Sequence, residues 1–320
     1  MRAVVNRRYG GPEVVELADM PDPIPRAGDI VVRVEATDLT AADAALRSGS
    51  PFAARLFAGL TRPRLAVLGA DFAGTVAAVG DGVTRFSVGD AVWGATGAAM
   101  GAHAELVVVP QEGAVALRPA SLTATEAASL VDATALAFLR DTAALKAGER
   151  ILINGASGAV GTAAVQLAVD MGAEVTAVCS AERLDLVREL GASHAFDYRA
   201  VDVTALPERF DVVFDVVGNM GYRRACRILT PTGRYLITVP TAGALGWHLL
   251  TLGSRGRRSR IAFTGLRKAS VVRGDLEATG ALVASGRIRA VVDEVYPFAR
   301  GRDAHAHVAR GKAGHVILTP

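Results

Sequence analysis

The stretch INGASGAVGTAAVQLA, residues 153–168, carries the clearest chemical signal in the sequence. Within it, Ala156-Ser157-Gly158-Ala159-Val160-Gly161 follows the spacing G-x-G-x-x-G, with alanine in the first glycine place. At a strand-to-helix bend that spacing suits a diphosphate. Gly158 lets a phosphate approach the backbone, Gly161 lets the helix lie close on the strand, and the amides at the positive end of the helix face the anion. An ordinary tight turn explains one or two glycines but not so readily this spacing at this place. The expected ligand is a nicotinamide dinucleotide.

The second strand of such a unit tells the two nicotinamide cofactors apart. In an NAD site an Asp or Glu at its end, ~20 residues on, bonds the ribose hydroxyls. Here the strand ends Val178-Cys179-Ser180, and the first acid, Glu182, lies beyond the tip. A 2′-phosphate is then not repelled; Ser180 can donate to it and Arg183 can supply charge. NADPH is therefore expected over NADH, with a solvated surface charge as the alternative account of Arg183.

Other chemistries lack their residues. There is no G-x-x-x-x-G-K-[ST], no G-x-S-x-G, no C-x-x-C and no Tyr followed four places later by Lys. His305 and His307 stand two apart, on different faces of any helix, and read as surface residues rather than metal ligands. The dense basic run RGRRSR, residues 255–260, reads as a solvated loop, with a mobile lid near the cofactor phosphate as the alternative.

These residues need elements to hold them. Strands and helices alternate through the middle of the chain: 151–155, 174–180, 194–198, 211–218 and 234–239 as strands, 161–172 and 182–191 as helices. That alternation means βαβ units and a parallel sheet. One helix is expected over 121–146, opened by Ser121 or Thr123 as N-cap. The first ~118 residues instead carry short Val-rich runs (2–6, 30–36, 74–80, 90–94, 104–110) between turn formers, as in a small antiparallel barrel or sandwich. The tail has a helix-like run at 276–286 and strands at 292–298 and 314–320, and it resembles the first segment more than the middle. The expected division is 1–118 and 257–320 as one discontinuous domain, with 119–256 as the dinucleotide-binding insert.

The bulk numbers agree. The chain has 320 residues, more than one core usually serves, and 51% are apolar. A net charge of +3 is too mild to argue for nucleic acid, although the isoelectric point is 9.1. Two cysteines, Cys179 and Cys226, cannot build a disulfide scaffold and fit a reducing cytosol. The N-terminus has no apolar signal core, and no apolar run reaches the ~20 residues that span a bilayer. No membrane or nucleic-acid partner is expected, only a small-molecule substrate.

From end to end the chain resembles the medium-chain dehydrogenase/reductase superfamily, in its zinc-independent quinone oxidoreductase-like branch. The resemblance rests on Tyr9-Gly10-Gly11-Pro12-Glu13-Val14, on Gly69-Ala70-Asp71-Phe72-Ala73-Gly74-Thr75-Val76 and on Val83-Thr84-Arg85-Phe86-Ser87-Val88-Gly89-Asp90. It continues in Asn154-Gly155-Ala156-Ser157-Gly158-Ala159-Val160-Gly161 and Gly311-Lys312-Ala313-Gly314-His315-Val316. It implies a GroES-like β-rich catalytic domain carrying an inserted Rossmann domain, and a homodimer. Zinc-dependent relatives carry a Cys where this chain has Thr40 or its neighbours and His-Glu where it has Ala70-Asp71, and the four-cysteine lobe is missing, so no metal is expected.

The implied reaction is direct hydride transfer to an enone or quinone, with a zinc-free carbonyl reductase or alcohol dehydrogenase, or a cofactor-binding protein without turnover, as alternatives. Where many relatives have Asn-Pro-x-Asp, this chain has Thr40-Ala41-Ala42-Asp43, which suggests Thr40 as a hydroxyl donor and Asp43 as a retained acid, or as a tie between turns, as Asp71 would be. Residues 45–60 contain no Tyr, although several relatives have one there. Thr134 matches a Thr near the nicotinamide, or is a helix-interior hydroxyl bonding its own backbone; Tyr198 matches an Asp-Tyr pair at the adenosine end, or is a core tyrosine; Asp132 would be a local acid near the reacting groups, or a solvated carboxylate.

Overall fold

The protein is described from a computed structural model covering residues 1–131, 133–239 and 241–320. Asp132 therefore lies outside the described residues. The chain forms two compact units, Met1–Asp132 with Gly265–Pro320, and Ala133–Thr264.

The first unit is β-rich. Its strands are β1 (Arg2–Asn6), β2 (Val15–Asp19), β3 (Asp29–Leu39), β4 (Asp71–Val79), β5 (Ala91–Ala95), β6 (Leu106–Pro110) and β7 (Ala114–Leu117). β1 and β2 pair antiparallel. The eleven-residue β3 organises the rest: β4 lies along one edge, while β6 pairs with its beginning and a strand from the C-terminal tail with its end. Alternate residues of these strands (Ile30, Val32, Val34, Phe72, Val76, Val92 and Val107) point into one apolar core, as the period of two requires.

The second unit is a six-stranded sheet: β8 (Arg150–Asn154), β9 (Glu174–Cys179), β10 (His194–Asp197), β11 (Phe210–Asp215), β12 (Leu229–Ile237) and β13 (Arg258–Ile261). Every pairing is parallel, and the order is β10-β9-β8-β11-β12-β13. Counted from β8 this is 3-2-1-4-5-6, the doubly wound order, whose direction reverses between β8 and β11. Ile151, Leu152 and Ile153 are fully buried, as strands covered on both faces must be. The tail returns to the first unit with β14 (Val292–Pro297) and β15 (His315–Thr319), a parallel pair joined to the end of β3.

Two expectations need correction. The single helix expected over 121–146 is broken. Helix Ala124–Ser129, capped by Thr123 through a capping box with Glu126, is followed by a turn at Thr134–Leu136 and a π-helical stretch at Ala137–Ala143. Helical propensity runs through the segment, but its halves serve different cores. Ala127, Ala128 and Val131 pack with Trp93 and Ile317, whereas Phe138 stacks on Phe214, with ring centroids 5.1 Å apart. The two units divide at 132/133 and 264/265. The basic run is not wholly a loop, because Arg258–Ile261 is the edge strand of the parallel sheet.

Candidate active site

The glycine bend lies at the carboxyl end of β8. Helix α1 (Ala159–Asp170) follows it, with Gly158 as N-cap and no side-chain hydrogen bond at the cap. The first amide to close on the helix is Thr162, which donates to Gly158 O at 2.8 Å. The amides of Ala159, Val160 and Gly161 thus head the helix without an intrahelical acceptor. The turn glycine at positive φ is Gly155 (+88°), one residue before the expected first place. Ala156 is buried and donates its amide to Val178 O at 3.0 Å. An added Cβ at Gly161 would sit 2.1 Å from Gly155 O, so the helix is seated on the turn's own backbone. At Gly158 the nearest heavy atom would be 3.6 Å away. A side chain would fit there, so the fold does not require glycine at 158.

Beside the bend, a knot of polar side chains ties three strand ends together. Asp215, fully buried at the end of β11, accepts from Asn154 Nδ2 (2.8 Å), Gly218 N (2.9 Å), Met220 N (2.9 Å) and Tyr235 Oη (2.7 Å). Asn154 Nδ2 also donates to Asn219 Oδ1 at 2.8 Å. Burial, with Asp215 alongside, raises the Tyr235 phenol far above its ordinary range, so it stays a donor. The knot holds the loop after β11 at the reversal of strand order, where ligands of doubly wound sheets bind. Sequence reasoning missed it; the signal was an Asp closing an otherwise apolar strand.

At the tip of β9, Ser180 precedes a 3₁₀ turn, Ala181–Arg183. Glu182 folds back over this tip. Its own backbone amide, the Ser180 hydroxyl and the Arg199 guanidinium hold its carboxyl below the usual carboxylate range, and Arg199 Nη1 lies 3.3 Å from its Oε1. An acid therefore does stand at the tip, against the sequence expectation, but a cation that the sequence reading missed accompanies it. Arg199 directly follows Tyr198, which is exposed, and its guanidinium lies 5.2 Å from the centre of the Tyr198 ring. Thr134 Oγ1 lies 3.1 Å from Thr264 Oγ1, at the start of the short helical turn of this unit.

In the first unit, Thr40 and Asp43 come together in the tie between turns that the sequence offered as one reading of Asp43. Thr40 caps helix α2 (Ala41–Ser48; numbered after α1 in order of introduction). Its hydroxyl donates to Asp43 Oδ2 at 2.6 Å and accepts from Asp43 N at 3.2 Å. Asp43 Oδ2 also accepts from Thr40 N (2.8 Å), and Oδ1 accepts from Gly69 N (3.0 Å). The carboxylate is buried and filled by donors of the chain itself, and the Thr40 proton is committed to it. The pair is a capping box that ties the Gly69 turn to the helix. His305, expected at the surface, is buried, and its ring meets that of His103 at 6.4 Å between centroids. Burial, with His103 and Arg47 nearby, pushes its imidazole down to about 3. His307 is half-buried between Asp293 and Glu294.

Comparison with known proteins fits this geometry. Residues 26–119 match the family described as alcohol dehydrogenase GroES-like domain, and residues 190–318 match that described as zinc-binding dehydrogenase. A quinone oxidoreductase of Pseudomonas aeruginosa is 32% identical over 98% of this chain and 97% of its own length. The chloroplast envelope quinone oxidoreductase homolog of Arabidopsis thaliana is 30% identical over 100% of this chain and 98% of its own. The chain belongs to the zinc-independent, quinone oxidoreductase-like branch of the medium-chain dehydrogenase/reductase superfamily. It is an oxidoreductase with a GroES-like domain and a Rossmann domain. Escherichia coli quinone oxidoreductase, solved in complex with NADPH, superposes with a TM-score of 0.87 at 26% identity, with 100% of both chains covered.

The branch fits the residues at hand, since Thr40 and Ala70-Asp71 stand where zinc ligands are expected. Among the described residues no three of His, Cys, Asp and Glu are grouped as a metal site requires, and no helix is long and apolar enough to cross a membrane. Relatives named for a chloroplast envelope and a mitochondrion show that membership sets no compartment.

Proposed function

We propose that the protein is an NADPH-dependent reductase of activated carbon–carbon double bonds, with enones or quinones as acceptors. The observation that carries this reading is the bare helix head over Gly158. Three amides there lack an intrahelical acceptor, at a position where glycine serves no need of the fold. The residues fit a dinucleotide: the amides of Ala159, Val160 and Gly161 for the diphosphate, with Ala156 and Ser157 forming the floor of the turn. Ser180, Arg183 and Arg199 would hold the 2′-phosphate, and Tyr198 would lie beside the adenosine. Arg183 and Arg199 stand at that tip as cations for a 2′-phosphate, beside the acids Glu182 and Asp197, and that supports NADPH over NADH. Phosphate binding would take Ser180 and Arg199 from Glu182.

When bound, the cofactor supplies a hydride. The chain's part is to orient and to exclude water. Thr134, coupled to Thr264, is the hydroxyl assigned to the nicotinamide end. Because the Thr40 proton is committed to Asp43, the proton that completes the reduction is assigned to water, and Thr40 and Asp43 are positioning residues. The kinship with a relative solved with NADPH and with relatives named quinone oxidoreductase supports the same reading. Following NADPH oxidation against a quinone, a simple enone and a simple ketone tests it. Turnover of the first two with little of the third is expected; turnover of the ketone alone would refute the assignment to carbon–carbon double bonds.

A further inference from the structure

The carboxyl ends of β8 and β9 carry the glycine bend and the Ser180 tip. At the opposite end of the sheet, where β8 to β11 begin, a small cleft of about 60 Å³ opens beside the loop that leads into β11. That is room for about four to six water-sized groups, far too little for a dinucleotide. No step of the reductase chemistry uses it.

Its walls differ in kind. Phe210, Phe196 and Leu206 supply apolar surface, and all three belong to the core of this unit or pack against it. Thr176 is the buried polar side chain of the lining. It sits within β9, opposite Leu152 of β8 and His194 of β10. The residue is 4% exposed, yet among the described residues its hydroxyl bonds no other group. A buried hydroxyl without a partner is costly, and an apolar β-branched residue would suit the same place in a sheet. Water is a poor occupant of the inner cleft, because a buried water needs about two to four polar partners and the neighbours of Thr176 there are phenyl rings and a leucine. At the mouth, Arg150 Nε lies 3.8 Å from Glu174 Oε2, and His194 Nε2 lies 3.6 Å from Glu174 Oε1. Both basic side chains thus already face one carboxylate. Glu208 pairs with no cation among the described residues, and Arg209 beside it is turned to the carbonyls of Leu206, Pro207 and Glu208.

An unmatched carboxylate at the mouth, apolar walls and an unused hydroxyl call for one kind of occupant. It is small, positively charged and carries a second polar group. We propose that this cleft binds a short organic ammonium ion of the amino alcohol class. The ammonium meets Glu208, the short carbon chain lies against Phe196, Phe210 and Leu206, and the hydroxyl bonds Thr176. Phenyl rings favour an organic cation further. An anion would face Glu208, and it would have to draw Arg150 and His194 away from Glu174. The inference stands apart from the reductase assignment.

Three probes of nearly one size test it on the full chain: ethanolamine as the cation, ethylene glycol as the neutral molecule and glycolate as the anion. Binding is followed by NMR shifts of the His194 ring and the Phe196 amide. Saturable shifts with ethanolamine alone are expected. Glu208→Gln and Thr176→Val should each weaken that binding by about fivefold, with NADPH affinity unchanged. Thr176→Val should not lower the melting temperature, because the hydroxyl serves nothing within the chain. The proposal is overturned by absence of saturable shifts with ethanolamine, by equal binding of ethylene glycol, by tighter binding of glycolate, by binding that either variant leaves unchanged, or by a Thr176→Val protein that melts lower.

Discussion

Gly158→Val separates the cofactor site from the fold more cleanly than any other substitution in the chain. Gly158 has φ −79° and ψ 179°, extended backbone open to any residue, so no strain follows from a side chain. The new Cβ would lie 3.6 Å from Gly155 O, an ordinary contact, and the stability change should stay within about 0.5 kcal/mol. The branched side chain would nevertheless fill the space above the amides of Ala159, Val160 and Gly161. A hydrogen bond to a charged group contributes about 1.5–3 kcal/mol, so losing one or two to the diphosphate should weaken NADPH by roughly a hundredfold or more. Gly161→Ala is the contrasting control. Its Cβ would meet Gly155 O at 2.1 Å, the helix must shift, and the fold itself should lose about 1–3 kcal/mol. Urea unfolding gives the stabilities and calorimetric titration the affinities. A folded Gly158→Val protein with unaltered NADPH affinity would refute the reasoning.

Further outcomes follow from the same structure. Arg199→Ala should reduce the preference for NADPH over NADH by about tenfold in the ratio of their affinities, and Glu182→Gln should raise it; an unchanged ratio in both variants would remove Arg199 from the 2′-phosphate site. Asp43→Ala leaves Gly69 N unbonded and breaks the capping box, so stability should fall by about 2–3 kcal/mol. If chemical denaturation shows no loss while kcat collapses, Asp43 is catalytic after all. His305 folds with its imidazole at about 3 against an ordinary 6.5. The unfolded chain therefore takes up its proton first as pH falls, and stability is lost from about pH 6.5 downward. His305 should account for about 2 kcal/mol of loss between pH 7 and pH 5; His305→Leu should flatten that part of the stability profile, and an unchanged slope would contradict the burial argument.

The parts of this protein that were legible in sequence are those set by local pattern. β1 at Arg2–Asn6 matches its apolar run residue for residue, and the alternating middle of the chain yields five of the six parallel strands. Glycine spacing located the helix head, although the residue at positive φ is Gly155. What was not legible depends on partners distant in sequence. The run 121–146 reads as one helix because its residues all favour helix; two cores pull it apart. His305 reads as a surface residue because its burial against His103 is made by a chain segment some two hundred residues away. Thr40 and Asp43 read equally as reactive groups or as a tie between turns because residue type does not show that each bonds the other. Arg199 was passed over because only the pairing of β10 with β9 brings it to the Ser180 tip.

The central claim is that the amides at the head of helix Ala159–Asp170 hold the diphosphate of a reduced nicotinamide dinucleotide. Calorimetric titration of the purified chain with NADPH and with NADH tests it most directly. Saturable one-to-one binding is predicted, tighter for NADPH, and abolished by Gly158→Val in a protein that still unfolds cooperatively. Absence of heat with both nucleotides would contradict it.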